Sequence, residues 1–248
     1  MLENNKIIPF EFKARGQRIF AIGDTHACPT ELEALLNFLQ KEESLSQDDN
    51  IIFVGDYINK GSEAKTSINL VLDFQKHFTQ TIFLKGNHED MLLGYLGFPS
   101  SYGDIFLRNG GQKTLDSYGI KPQLGVEETK SLFPKEHLEF FRSLKHIAIS
   151  EDYIFVHAGL LPSLALTAQR DTDIYWIRSD FIQHTHKFGK TVIFGHTPFN
   201  EIWLDLPFKI GIDTGLVYKN MLSCVELTGK SIFQVKYGSS TVTRKNLP

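Results

Sequence analysis

The stretch IIFVGDYINKG (residues 51–61) joins a strand pattern directly to a glycine and a carboxylate. Residues 51–54 are β-branched and aromatic, which predicts a β-strand that ends at the glycine. Asp56 follows at once, so its carboxylate is either a turn former or a functional group presented at the end of a strand. Asn59 and Lys60 add an amide and an ammonium three and four residues later.

Strand, polar loop and helix follow one another repeatedly in the first 96 residues. Strand patterns occupy 18–22, 50–54 and the start of 81–96, and helical patterns occupy 29–42 and 62–78. Strands that alternate with helices predict βαβ units and a mostly parallel sheet. The loops that follow the strands are therefore available to carry function.

The residue pattern changes after residue 96. Segment 97–145 combines Gly-, Ser- and Lys-containing loops with helical pieces, and we interpret it as a helical side region or insertion. A further helix is predicted over 171–188. Strand patterns return at 146–150, 153–159, 191–197, 208–215, 221–227 and 232–237. This strand-rich part predicts a second sheet packed on the first and covered by helices. We treat residues 1–248 as one domain with a core over about 18–237.

Composition indicates an ordinary globular chain. The formal net charge of -3 argues against binding nucleic acid chiefly through phosphate neutralisation. Cys28 and Cys224 are too few for a disulfide scaffold, and we expect them to be packing residues. No apolar run reaches the length of a signal-peptide core or a membrane span. We therefore expect a cytoplasmic protein without nucleic-acid or membrane partners.

Five predicted strands end in residues that can bind a metal ion. Taken singly, a Gly-Asp after a strand is usually a turn or a cap, a lone histidine is usually structural, and Asn87 could simply tolerate a left-handed turn. Taken together, they would converge because the ends of neighbouring parallel strands share one edge. The residues are Asp24, His26, Asp56, Asn87, His88, His157 and His196.

This group offers nitrogen and oxygen ligands but no sulfur. Such a set suits Mn as the first choice, with Fe or Zn as alternatives. If one histidine is reserved for proton transfer, six ligands remain, enough for two divalent ions when Asp56 bridges them. A carboxylate with two oxygens can bridge two ions better than an amide can.

Five ordered blocks carry a resemblance to a known family: GDTHA (23–27), GDYINKG (55–61), GNHED (86–90), HAG (157–159) and GHT (195–197). The sequence resembles the calcineurin-like metallophosphoesterases, most closely the phosphoprotein-phosphatase branch. That branch includes small bacterial Ser/Thr phosphatases and symmetrical bis(5'-nucleosyl)-tetraphosphatases. The resemblance implies a four-layer αββα sandwich of two mixed sheets, with a dinuclear metal site at the strand ends.

The resemblance also implies individual roles. Asp24, His26 and Asp56 would hold one ion, and Asp56, Asn87, His157 and His196 would hold the other. A hydroxide bridging the ions would attack phosphorus, and His88 would protonate the leaving oxygen. Arg178 in YWIRSDF would contact phosphoryl oxygens, although a surface ion pair on a helix is the alternative.

Asn59 and Lys60 depart from the family pattern, which has Asp and Arg in most phosphoprotein phosphatases. The tetraphosphatases lack that Asp but keep the Arg. We expect Asn59 to accept a hydrogen bond from His88 without stabilising its charge, and Lys60 to contact phosphate without the guanidinium fork. The expected result is a slower enzyme that is still active.

The leading functional hypothesis is a metal-dependent protein Ser/Thr phosphatase that also hydrolyses small phosphoesters. Hydrolysis of a dinucleoside tetraphosphate is the alternative within the same chemistry. A phosphatase fold that binds a partner without turnover is the alternative of another class. Asp213 could support a ligand histidine or form a turn. The remaining histidines are assigned to surface or packing: His77, His137, His146, His184 and His186.

Overall fold

The structure is a computed structural model that describes residues 7–248, and two mixed six-stranded β-sheets form the centre of this part. The strands are β1 (Phe10–Glu11), β2 (Ile19–Ile22), β3 (Asn50–Phe53), β4 (Thr81–Phe83), β5 (Ile147–Ile149), β6 (Tyr153–Val156), β7 (Thr191–Phe194), β8 (Trp203–Asp205), β9 (Lys209–Gly211), β10 (Met221–Glu226), β11 (Ser231–Lys236) and β12 (Val242–Asn246).

Helices cover the outer faces of the sheets. The α-helices are α1 (Pro29–Lys41), α2 (Ala64–His77), α3 (Asn87–Tyr95), α4 (Gly111–Tyr118), α5 (Val126–Leu132), α6 (Lys135–Ser143), α7 (Asp171–Trp176) and α8 (Ser179–Ile182). Short 3₁₀ helices lie at Gly103–Ile105, Leu107–Asn109, Leu166–Ala168 and Leu216–Tyr218. Among the described residues, none of the helices combines the length and hydropathy needed to span a membrane.

Both sheets contain parallel and antiparallel pairs. The first has the order β12-β11-β10-β2-β3-β4, in which β2, β3 and β4 are parallel neighbours. The second has the order β1-β5-β6-β7-β9-β8, in which β6, β7 and β9 are parallel neighbours. The βαβ units and the second sheet predicted from the sequence are confirmed.

Successive side chains along each strand point to opposite faces of its sheet, and this alternation produces the four layers. Ile19 and Ala21 of β2 belong to the apolar cluster that also contains Phe155 of β6 and Ile193 of β7, so the two sheets pack face to face. The intervening Phe20 points to the other side and packs with the apolar faces of α1 and α2. On the outer face of the second sheet, residues of β6 and β7 cluster with side chains of α7 and α8. The αββα sandwich is therefore confirmed.

Segment 97–145 is mainly helical, as the sequence predicted. Its helices α4 and α6 lie in the layer beside α1 and α2, because Leu115 of α4 and Phe141 of α6 share their apolar cluster. Whether this segment is an insertion into a single domain stays a prediction.

The prediction of a single helix over 171–188 is wrong. Helices α7 and α8 are separated at Arg178, whose φ of -134° and ψ of -92° interrupt the helical ladder. Lys209 explains why α8 ends early: its buried ammonium donates to the carbonyl oxygens of Phe181, Ile182 and His184 at 3.1, 2.9 and 3.0 Å.

Three strands lie outside the predicted pattern. Strands β1 and β8 have two and three residues and lie at the two edges of the second sheet. Strand β12 is polar, mostly exposed and paired only with β11 in its sheet of the described chain. Short or polar edge strands lack the apolar alternation that sequence patterns detect.

Candidate metal centre

The seven residues predicted at strand ends lie together at one end of the sandwich. They follow the carboxyl ends of β2, β3 and β4 in the first sheet and of β6 and β7 in the second. Contacts cross between the two sheets at this edge. Nδ1 of His157 lies 2.9 Å from the carbonyl oxygen of Val54, and the backbone N–H of His196 donates to Oδ2 of Asp24 at 3.0 Å. The structure therefore brings all seven residues into one buried crevice.

Asp56 lies at the centre of this crevice. Its Oδ2 is 3.4 Å from Nε2 of His26 and 3.9 Å from Nε2 of His88. Its Oδ1 is 3.4 Å from Nε2 of His157. The two carboxylate oxygens thus face different histidines, and two groups of potential ligands, His26–Asp56–His88 and Asp56–His157–His196, share this one carboxylate. This is the arrangement that a bridging ligand requires.

Asn87 extends the second group. Its Oδ1 lies 3.0 Å from Nε2 of His157 and 3.2 Å from Nδ1 of His196. Among the described residues, Asp24 Oδ1 and His196 Nε2 are buried without any hydrogen-bond partner. Buried polar atoms are normally satisfied, so these two fit ligands of a cation. The mixed nitrogen and oxygen donors also fit divalent ions.

Electrostatics favour the metal-binding forms of the four histidines and of Asp56. Burial lowers the pKa of His26 to about 4, and burial likewise lowers the pKa values of His88, His157 and His196. For Asp56, burial opposes ionisation, but the surrounding histidines and Lys60 outweigh it and lower its pKa. The lowered pKa values favour neutral imidazoles and a charged central carboxylate, which are the forms that bind a metal ion.

Asp24 differs from these ligands, because its surroundings favour the protonated carboxyl group. Burial, followed by the neighbouring charges of Asp213 and Asp56, raises the pKa of Asp24 well above its ordinary value. Asp213 is itself buried, and its pKa is raised to about 6, with burial as the main cause. Several acidic groups this close together favour a bound positive charge.

The loops that carry these residues adopt unusual backbone conformations. Non-glycine residues with positive φ are His26, Ala27, Asp56, Asn59, Lys60 and His196, among others. Two glycines permit the close approach of the loops: a Cβ on Gly86 would collide with Asp56 Oδ1, and a Cβ on Gly195 would collide with Asp24 Oδ1. Backbone strain of this kind concentrates at functional sites because the surrounding structure holds it in place.

Glu89 is a supporting residue that the sequence analysis missed. Its buried carboxylate accepts hydrogen bonds from the backbone N–H groups of Asp56, Tyr57 and Ile58 at 2.9, 2.8 and 3.3 Å. It also accepts from Gly86 at the start of α3 at 3.0 Å. Glu89 therefore fixes the loop that presents Asp56. The sequence feature that could have revealed this role is the position of Glu89, three residues after Gly86, which is the capping-box position at the start of a helix.

Asn59 contacts His88, but not in the predicted way. We expected its amide oxygen to accept from the ring, whereas its Nδ2 lies 2.7 Å from Nδ1 of His88. The oxygen is occupied, because the hydroxyl of Thr114 donates to Asn59 Oδ1 at 2.6 Å. The ring nitrogen therefore accepts the hydrogen bond.

Lys60 and Arg178 bring positive charge to the same crevice. Nζ of Lys60 lies 3.0 Å from Nε2 of His26, a predicted ligand atom, and 5.3 Å from the ring centroid of Tyr218. Arg178 is exposed in the break between α7 and α8, and its charge contributes to the lowered pKa of His196 after burial and His157. Their proposed contacts with phosphate stay predictions.

The residues assigned to packing or to the surface lie away from the centre. His137 is buried between Tyr118 and Asn69, at 2.7 and 2.9 Å. His186 is bonded to the carbonyl oxygen of Phe208 and His146 to Tyr175, and His184, just after α8, is bonded to the carbonyl oxygen of Asp180. Asp213 also forms a turn, since its Oδ1 accepts from the N–H of Gly215 at 2.9 Å, but it lies beside the centre, where its charge helps to raise the pKa of Asp24.

The two cysteines are buried and free. Burial raises the pKa of Cys28 to about 12 and that of Cys224 well above its ordinary value. Neither thiol is therefore activated as a nucleophile.

Comparison with known proteins identifies the family. A sequence model of the calcineurin-like phosphoesterases matches residues 17–212, which include every ligand candidate described above. The chain belongs to the calcineurin-like phosphoesterase family. This calcineurin-like phosphoesterase is thus a metal-dependent hydrolase of phosphoesters, and the resemblance noted in the sequence is confirmed. The family has a dinuclear metal centre, and the two groups around Asp56 agree with it.

Curated relatives are named tetraphosphatases. The calcineurin-like phosphoesterase is 28% identical over 240 residues to bis(5'-nucleosyl)-tetraphosphatase PrpE (asymmetrical) of Oceanobacillus iheyensis, covering 88% of this chain and 92% of the relative. It is also 28% identical over 149 residues to the symmetrical bis(5'-nucleosyl)-tetraphosphatase of Nitrosospira multiformis, covering 60% of this chain and 46% of the relative.

Solved structures share the fold. One described as a candidate diadenosine tetraphosphatase has a TM-score of 0.68 and 22% identity, covering 92% of this chain and 97% of the other. A cold-active protein tyrosine phosphatase of a Shewanella species has a TM-score of 0.61 and 16% identity, covering 100% and 85%. At these identities the likeness is one of fold.

Proposed function

We propose that this calcineurin-like phosphoesterase hydrolyses dinucleoside tetraphosphates, with two divalent ions held by the residues around Asp56. The observation that carries the chemistry is the position of Asp56, whose Oδ2 faces His26 and whose Oδ1 faces His157. Asp24 and His26 would complete the first site, and Asn87, His157 and His196 would complete the second. Mn²⁺ is the ion we propose, because the donor set mixes imidazole nitrogen with carboxylate and amide oxygen.

The bound ions would supply positive charge to the phosphoryl oxygens and lower the pKa of a bound water. The protein provides the remaining groups. Nε2 of His88 lies 3.9 Å from Asp56 Oδ2, on the side of the centre, and would donate a hydrogen bond to the leaving oxygen. Lys60 and Arg178 would bind phosphoryl oxygens that carry negative charge. Asn59 would act through His88.

Two observations support the nucleotide substrate. The first is the similarity to a named tetraphosphatase across 88% of this chain and 92% of the relative. The second is Tyr218, whose side chain is 61% exposed beside Lys60. An open aromatic ring beside a cation can stack on a nucleobase while the cation binds the adjoining phosphate, and such stacking contributes about 1–3 kcal/mol per base.

A protein Ser/Thr phosphatase is the second candidate, with phosphorylated protein or peptide as substrate. The sequence blocks around Asp56 and His88 favour it, because they resemble those of the small bacterial phosphatases. Its product would be inorganic phosphate and not a nucleotide. Product analysis therefore separates the two candidates.

The test compares two substrates on one preparation of the Mn²⁺-loaded protein. Diadenosine tetraphosphate products are separated by chromatography, and phosphate release is followed from a phosphoserine peptide. We expect nucleotide products, with a higher kcat/KM than for the peptide. Two ADP would show symmetrical cleavage, whereas ATP and AMP would show asymmetrical cleavage. Efficient release from the peptide without nucleotide products would contradict the tetraphosphate proposal.

Two variants sharpen this experiment. Tyr218→Ala should raise KM for diadenosine tetraphosphate about tenfold or more through lost stacking, while Tyr218→Phe should keep it. A chromogenic phosphate ester without a base serves as the control substrate, and its hydrolysis should change little. Hydrolysis of neither compound by a protein that binds two ions would instead favour a non-catalytic binding role.

A further inference from the structure

Thr114 joins the candidate centre to a helix that the sequence places 55 residues from Asn59. Its hydroxyl accepts a hydrogen bond from the backbone N–H of Asn59 at 3.0 Å and donates to Asn59 Oδ1 at 2.6 Å. Asn59 and Thr114 are fully buried, and His88 is 3% exposed. In this arrangement the single hydroxyl hydrogen of Thr114 is donated to the amide oxygen of Asn59, and the amide nitrogen of Asn59 faces His88.

The orientation of the amide determines the hydrogen on His88. With its oxygen held by Thr114, Asn59 presents Nδ2 to Nδ1 of His88 at 2.7 Å. An amide nitrogen only donates, so Nδ1 must accept, and a neutral ring then carries its proton on Nε2. Nε2 is the ring nitrogen that faces Asp56 Oδ2, at 3.9 Å. The proton thus lies on the side of the candidate centre.

Helix α4 holds this arrangement at further points. Nζ of Lys113 donates to the carbonyl oxygen of Lys60 at 2.7 Å. Gly110, just before the helix, packs so closely that an added Cβ would lie 2.8 Å from the backbone nitrogen of Lys60. The loop that carries Asn59 has positive φ at residues 59 and 60, so it needs such external support.

We propose that Thr114 is a positioning residue that fixes the proton of His88 on Nε2 through the Asn59 amide. His88 then donates a hydrogen bond from Nε2 to the leaving oxygen of the phosphoester. This inference rests on the proposed role of His88 in hydrolysis. An aspartate at position 59 would accept from Nδ1 and could not produce the same arrangement. The pair Asn59 and Thr114 is therefore an alternative way to orient this histidine.

The first experiment measures directly which nitrogen of the His88 ring carries the proton. Protein labelled with ¹⁵N-histidine and loaded with diamagnetic Zn²⁺ is examined by long-range ¹H–¹⁵N correlation, and the His88 signals are assigned by their loss in His88→Gln. The wild type should show a protonated Nε2 and an unprotonated Nδ1. Thr114→Val removes the hydroxyl at nearly constant volume, so the amide can turn and the Nδ1-protonated ring should appear. Thr114→Ser should retain the wild-type pattern.

Turnover provides the second readout. We expect kcat for the chromogenic ester to fall about tenfold in Thr114→Val with little change in KM, and to be largely restored in Thr114→Ser. If Thr114→Val does not fold, the spectrum of Asn59→Asp tests the same point, because a carboxylate accepts a hydrogen bond from Nδ1 and should place a proton on that nitrogen while the buried hydroxyl stays in place.

Two results would overturn the proposal, and a third would separate it from the proposed function. A wild-type ring protonated on Nδ1 would overturn the proposal, and so would equal spectra and equal kcat values for Thr114→Val and Thr114→Ser. The expected spectra together with no hydrolysis of any phosphoester would support the Thr114 arrangement and contradict the proposed function instead.

Discussion

Nζ of Lys60 lies 3.0 Å from Nε2 of His26, the nitrogen that we propose as a ligand of the first ion. An ammonium at this distance donates to the ligand atom and also repels a divalent cation. Lys60 therefore opposes binding at the first site while it supplies a charge for phosphate. The two sites should differ in affinity for this reason.

Replacing Lys60 by methionine should strengthen binding of the weaker ion. We expect an improvement of about tenfold, equivalent to ~1.4 kcal/mol, when ion binding is titrated by calorimetry. Lys76→Met is the matched control, because Lys76 is exposed and paired with the nearby Asp73. Unchanged or weaker binding in Lys60→Met would show that the contact with His26 has no influence on the first site.

The combined change Asn59→Asp with Lys60→Arg should make the enzyme faster. Aspartate can stabilise a charged His88, and arginine binds two phosphoryl oxygens through its planar fork. We expect kcat for a chromogenic phosphate ester to rise about tenfold. The single variants separate the two contributions. Turnover equal to that of the wild type would contradict this explanation of positions 59 and 60.

Glu89→Ala should disorganise the loop that presents Asp56. The change leaves the buried N–H groups of Asp56, Tyr57 and Gly86 without their acceptor, each at a cost of about 1–3 kcal/mol. Unfolding in urea should occur at a clearly lower concentration, and metal affinity should fall. The exposed Glu33→Ala on α1 is the control. Equal stability of the two variants would show that Glu89 does not hold the loop.

His146 gives the protein a predictable response to acid. Burial, with added repulsion from Lys85 and Lys145, lowers its pKa from 6.5 to about 4. Between these values the unfolded chain binds more protons than the folded one. The stability contributed by the neutral ring is therefore present above pH 6.5 and is lost as pH falls towards 4.

The free energy of unfolding measured in urea at pH 7 and pH 5 checks this effect. Wild-type protein should lose roughly 1–2 kcal/mol more over this interval than His146→Gln, whose side chain does not titrate. Glutamine can still accept a hydrogen bond from Tyr175, which lies 2.5 Å from Nδ1 of His146. The same loss in both proteins would place the acid sensitivity at other groups.

The sequence was sufficient to predict the strand exits and their convergence. Asp24, Asp56 and His196 each follow a short apolar strand and a glycine, and parallel neighbours bring such positions to one edge. Local pattern and chain order therefore determine most of the ligand set.

Contacts between distant segments could not be predicted in this way. The bond from Thr114 to Asn59 joins residues far apart in the chain and reverses the expected orientation of the amide. Lys209 ends α8 by donating to carbonyl oxygens across the fold, so a helical pattern continued past the true end of the helix. Strand β12 is polar because it lies at an edge, and it lacked an apolar signal.

The shared position of Asp56 is tested most directly by counting bound ions. Metal-free protein is titrated with Mn²⁺ by calorimetry, and the bound metal is measured after gel filtration for the wild type and Asp56→Asn. Asparagine keeps the size of the side chain but cannot bridge two ions with two charged oxygens. The expected result is two ions per chain in the wild type, with binding at both sites weakened in Asp56→Asn. One ion per chain in the wild type, or two ions bound equally well by Asp56→Asn, would contradict a dinuclear centre bridged by Asp56.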